Sequence, residues 1–153
     1  MNNNYIENFN KIFEEKCNVK YLPSILPKVD RIIVIGDIHG DFTKLKKILK
    51  KTKIIDNNNN WIGKDTVIVQ VGDQIDSCRN APYCHLMGMV KDDKAEDITI
   101  LEFMTELHEK AQEHGGAVYS LLGNHEIMNV NGDFSYVSYE NIKEFGDSEK
   151  RRE

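Results

Sequence analysis

The chain has 153 residues, 40% hydrophobic and 29% charged, with a formal net charge of −5 and a pI near 5.6. That length suffices for one domain with a real core and not for two, and the acidic balance argues against generic binding to nucleic acid or an anionic membrane, which wants a basic face. No long apolar run predicts a membrane span, residues 1–20 lack a signal-peptide layout, and three irregularly spaced cysteines are unlike a secreted disulfide framework, so a cytoplasmic protein is expected.

In chain order, Tyr5, Ile6, Phe9, Ile12 and Phe13 fall at helical spacing, and Pro23 and Pro27 break the connector that follows. Residues 1–30 are expected to be this helix and connector, and residues 31–153 the main domain. Arg31 to Ile35 is a β-branched run that predicts a buried strand. Asp41 is placed to cap a helix whose apolar stripe is Phe42, Leu45, Ile48 and Leu49, with lysines on its solvated face and in its last turn. Asn57 to Asn60 predicts a turn, and Thr66 to Val71 a second strand.

A long connection through Pro82 and Gly88 to about Asp93 is expected to be a lid, a binding loop or partly disordered. Cys78, Cys84 and His85 lie within it. A zinc site would want a CxxC-type pair and a fourth ligand, so free thiols in a loop are expected instead. Ile98, Leu101, Met104, Leu107 and Ala111 predict a helix over 95–113, ended by Gly115 and Gly116, with His108 and His114 on its surface. Ala117 to Leu122 is a third strand. Strand, helix, strand, helix, strand favours parallel pairing in an α/β fold.

Each strand runs into a short polar block: Gly36-Asp37-Ile38-His39-Gly40-Asp41, Gly72-Asp73-Gln74-Ile75-Asp76, and Gly123-Asn124-His125-Glu126. Open α/β sheets place ligand sites past the carboxyl ends of their strands. Carboxylate and amide oxygens suit hard cations, and borderline transition metals accept imidazole as well. Asp37 and His39 can face one point from an extended turn. Asp73 can bridge two ions, and Asn124 adds a neutral oxygen. Paired metals clamp a phosphoryl group and generate hydroxide near neutral pH. His125 is the natural proton donor, with Asp76 placed to orient it; Glu126 reads as a helix-start carboxylate.

These blocks resemble the three N-terminal signatures of the calcineurin-like metallophosphoesterases, in particular of their phosphoprotein-phosphatase branch. The surroundings of the third block, Leu121 to Asn129, look most like the Shewanella-like protein phosphatases. The resemblance implies an α/β sandwich of two sheets flanked by helices, of which this chain would be the N-terminal βαβαβ part. It implies that Asp37 and His39 hold the first metal, that Asp73 bridges, that Asn124 binds the second metal and phosphate, and that His125 and Asp76 form the acid pair. Two ions of manganese, iron or zinc are implied, and a phosphorylated protein or small phosphoester as substrate.

Two departures from that pattern stand out. The branch carries Asp-Arg-Gly at the end of the second block, where this chain has Asp76-Ser77-Cys78; Arg79, two positions late, is the candidate to grip phosphate. The family also takes two further histidines from its C-terminal half, and His85, His108 and His114 all precede the third block. The second metal site is therefore expected to be incomplete, apolar surface uncovered, and the remainder supplied by a partner or encoded elsewhere. The leading expectation is a phosphomonoesterase. Its rivals are an inactive metal-binding remnant or partner-dependent fragment, and a nucleotide or nucleic-acid phosphodiesterase.

Overall fold

β-branched and aliphatic side chains at alternate positions make each strand two-faced, and one face of the resulting sheet is covered by helices. In the computed structural model, which describes residues 11–12, 15–16, 25–79, 81–146 and 148–152, the strands are β1 (Ile32–Ile35), β2 (Val67–Gln70) and β3 (Ala117–Ser120). They pair in parallel in the order β1-β2-β3, with Ile35, Gln70 and Ser120 in register at the carboxyl edge. The helix expected over residues 5–17 lies mostly outside the described residues, although Lys11, Ile12, Glu15 and Lys16 are helical. The second sheet implied by the resemblance is not found among the described residues, which hold the one three-stranded sheet.

Helix α1 (Phe42–Lys51) starts as expected, with Asp41 accepting from Lys44 N at 2.7 Å. Leu45 and Leu49, one turn apart, are buried and meet Ile35 and Ile68 of the sheet. Helix α2 (Asp97–Gln112) buries Ile100, Met104, Leu107 and Ala111 against the same core and packs along β3. Its chain reverses at Gly115, which sits at φ 77°. Trp61, Ile54 and Ile55 close the core beside α1, and the Asn57–Asn60 turn is clasped by Asp56, which accepts from Asn58 N and Asn60 N. Burying each large aliphatic side chain stabilises the fold by about 1.5–3 kcal/mol.

The opposite face of β1 is bare: Ile32 is 59% and Val34 66% exposed. Three short helices follow the sheet: α3 (Asn124–Val130), α4 (Tyr139–Glu144) and α5 (Ser148–Arg152). Among the described residues no helix is long and apolar enough to cross a membrane.

Two expectations are corrected. Cys78 and Cys84 are not free thiols: they form a disulfide with Cα atoms 5.7 Å apart. Their separation of six residues carried no pairing signal, because the turns of the intervening loop decide whether the two Cα atoms approach. His108 is not simply a surface residue. It is part-buried, and its Nδ1 lies 2.7 Å from Val118 O and 3.1 Å from Val118 N, so the ring is held against the backbone of β3.

Candidate metal centre

The parallel register delivers all three polar blocks to one edge, and Gln70 begins to shape them. Its buried amide donates to Gly72 O at 2.6 Å and accepts from Gly72 N at 2.9 Å, setting the turn out of β2. Gly72 is at φ 97°, and a Cβ there would strike the backbone of Gly123, so the second and third blocks meet only because this position is glycine. First and second blocks are laced by backbone: Ile38 N and His39 N both donate to Asp73 O at 3.0 Å, and Gly40 N to Gln74 O at 2.9 Å.

Three non-glycine residues here adopt left-handed backbone, His39 (φ 51°), Asp73 (φ 54°) and Asp76 (φ 69°). Each such residue costs of order 1–3 kcal/mol and is held only when its surroundings over-determine it. The lacing just described does so for His39 and Asp73. Asp76 is held from behind, as described below.

His39, Asp73 and His125 converge: one ligand atom from each lies within 4.8 Å of the others. Asp37 reaches the same group through His39, with its Oδ2 3.5 Å from His39 Nε2. His39 Nδ1 lies 3.3 Å from Ile75 O, which orients the ring with Nε2 turned away from that carbonyl. The rings of His39 and His125 meet edge to face with centroids 4.8 Å apart. Imidazole and carboxylate at one point are a donor set that fits a borderline transition metal. Asn124 stands at the start of α3 with an exposed side chain, 4.0 Å from Met128 S. Arg79 Nη1 donates to the carbonyls of Asp76 and Cys78 at 3.1 and 2.8 Å, so that nitrogen is tied into its own loop.

Behind His125 the packing is dry. His125 Nδ1 and Asp76 Oδ2 are 2.9 Å apart, and Asn129 Nδ2 donates to the same oxygen at 2.8 Å. Arg151, buried at the end of the described chain, donates to Asp76 Oδ1 at 2.8 Å, Asp97 Oδ2 at 2.7 Å, Asn129 Oδ1 at 2.7 Å and Asn141 O at 3.1 Å. Burial pushes the Asp97 carboxyl up to about 6 even though Arg151 pulls the other way, and the nearby Asp76 charge adds to the rise.

Neither Arg151 nor Asp97 carries a sequence signal for this role; they lie 75 and 21 residues from Asp76. Asn129 has a weak one, being one helical turn after His125.

Residues 30–152 match the family described as calcineurin-like phosphoesterase. The chain belongs to that family. Among its relatives, it is 37% identical over 118 residues to Shewanella-like protein phosphatase 2 of Arabidopsis thaliana, covering 77% of this chain and 26% of that protein. It is 36% identical over 115 residues to Shewanella-like protein phosphatase 1 of Plasmodium berghei, covering 75% and 27%. Among solved structures, the cold-active protein-tyrosine phosphatase of a psychrophilic Shewanella species superposes with a TM-score of 0.64 at 28% identity, covering 80% of this chain and 32% of that one. The chain thus spans about a quarter of the length of these curated relatives. This calcineurin-like phosphoesterase shares the α/β arrangement of parallel sheet and helices with that solved structure.

Proposed function

We propose that this chain is the metal-binding, proton-donating part of a phosphatase that hydrolyses phosphomonoesters, phosphoproteins foremost. The observation that carries the reading is the pairing of His125 with buried Asp76 at 2.9 Å while its ring lies against His39 beside Asp73. One face of the imidazole network is a metal donor set, and the other is a fixed carboxylate.

In this reading Asp37 and His39 would hold a first ion, Asp73 would be shared between two ions, and Asn124 would serve the second ion and the phosphate; manganese, iron or zinc would suit these donors. Bound metal would supply a hydroxide near neutral pH and half of a phosphoryl clamp. The chain's own residues do the rest. Asp76 accepts from His125 Nδ1 and fixes the tautomer, so Nε2 is the nitrogen that presents a proton to the leaving oxygen. Arg151 and Asn129 hold Asp76 in that orientation. A cleft of about 510 Å³ opens beside His39, lined also by Asp41, Ser77, Lys91 and Lys94, and accommodates the organic part of the substrate. Arg79, from the same loop, is the proposed cation for the phosphate.

Turnover of an aryl phosphate with manganese, compared with the matching diester, tests the proposal. Monoester hydrolysis is expected to dominate. Preferred cleavage of the diester would favour the phosphodiesterase reading, and bound metal without turnover would favour the inactive one.

A further inference from the structure

Glu126 looks at first like a helix-start carboxylate, and it does accept from Gly123 N at 2.7 Å in the first turn of α3. Its other contacts have nothing to do with that helix. Oε2 also accepts from Asp73 N at 2.8 Å, and Oε1 from Gln74 N at 2.7 Å, across 53 and 52 residues of chain. Asp73 returns the contact, its Oδ1 accepting from His125 N at 2.9 Å. A closed loop of bonds therefore runs from the Asp73 backbone to the Glu126 side chain, through the first turn of α3 to His125 N, and back to the Asp73 carboxylate. It holds Asp73 at φ 54°, where an L residue seldom rests, and it commits Oδ1, leaving Oδ2 for an ion. The buried charge of Glu126 is met by three backbone N–H groups rather than used on a metal.

We propose that Glu126 is a positioning residue that sets metal affinity through Asp73 without touching the ion. The inference rests on the proposed metal role of Asp73. A carboxylate is required because all three partners are donors. In Glu126→Gln, one oxygen becomes an NH2 group that must face an N–H, and either Gln74 or the Asp73–Gly123 pair is released.

The test is the affinity of purified chain for Mn2+ alone, by calorimetry, in wild type, Glu126→Gln, Asp73→Asn and Ile100→Val. Loss of an outer partner of a ligand typically weakens metal binding 10- to 100-fold, and a loss of about that size is expected for Glu126→Gln. The visible absorption of bound Co2+ should also shift, since the carboxylate would be held differently. Ile100→Val, on the core-facing side of α2, should lower thermal stability and leave affinity unmoved. Should Glu126→Gln fail to fold, Glu126→Asp, which keeps the charge but is too short to span both loops, carries the same expectation. Unchanged Mn2+ affinity in the Glu126 variant alongside weakened binding in Asp73→Asn would overturn the positioning role and leave the metal reading standing. An equal loss in Ile100→Val would overturn it as well, by tracing the effect to stability. Unchanged affinity in Asp73→Asn would sink the metal reading on which the inference rests.

Discussion

The two sides of His125 are built on opposite physical plans. In front, Asp37 is 61% exposed by its side chain and His39 is half-buried, and ligand atoms of His39, Asp73 and His125 from three turns converge within 4.8 Å of one another. Behind, Asp76 and Arg151 are each 1% exposed, and Asp76 has a partner on both carboxylate oxygens. A solvent-accessible set of converging donors is what a metal and its substrate require. A buried set in which both oxygens of Asp76 are bonded is what fixes one orientation of a proton donor, because a buried carboxylate left without partners costs far more than one that is paired. Proximity in sequence does not predict the plan: Asp73 and Asp76 are three residues apart and belong to different sides.

The largest expected effect breaks the link between the sides. His125→Ala should cut phosphatase turnover about 100- to 10,000-fold on substrates with poor leaving groups, the usual contribution of a positioned acid. The loss should shrink for an aryl phosphate, whose leaving oxygen hardly needs a proton. Equal losses on both substrates in steady-state kinetics would remove His125 from the acid role.

Breaking the rear alone should show in stability. Arg151→Met strands two buried carboxylates, and about 3–5 kcal/mol should be lost in denaturant unfolding. Combining it with Asp97→Asn should recover part of the loss, since one stranded charge is then gone. A double variant as unstable as the sum of the two single ones would show that Asp97 and Arg151 are not coupled.

The rear should also be sensitive to pH, with a definite sign. Asp97 has its folded pKa raised from 3.8 to about 6, so between those values the native chain holds a proton that the unfolded chain has released. Stability should therefore fall as pH rises from about 4 to 6. The cost approaches about 3 kcal/mol above that window and vanishes below it. Asp97→Asn keeps an oxygen for Arg151 but cannot ionise, so urea midpoints across this range should lose that component of the slope. The same slope in both proteins would mean that Asp97 is not the titrating group.

The smallest stability effect belongs to the front. Asp37→Asn should change the unfolding free energy of metal-free protein by no more than about 0.5 kcal/mol, as expected for an exposed side chain, while weakening Mn2+ binding in calorimetry. A large stability loss without metal would show that the front is packed rather than open.

Most of the front was legible before the fold. Strand runs at 31–35, 66–71 and 117–122 shortened by one or two residues at their ends but kept their places, because β-branched residues in short apolar runs leave little local alternative. The cap at Asp41 and the stop at Gly115 followed from chemistry within four residues. The disulfide, the β3 contact of His108 and the second task of Glu126 were not legible, since each depends on how separate segments approach.

By itself the sequence determined the period of each strand and helix, the turn chemistry behind each strand, and the identity of the donors carried past the strand ends, all set by interactions within a few residues. Only the tertiary structure decided that parallel register brings those donors to one edge, that Glu126 braces Asp73 from 53 residues away, and that Arg151 and Asp97 close the rear of Asp76. Burial and hydrogen bonding between distant segments have no periodicity for a sequence to display. They exist only once the core has brought the segments together and water has been excluded.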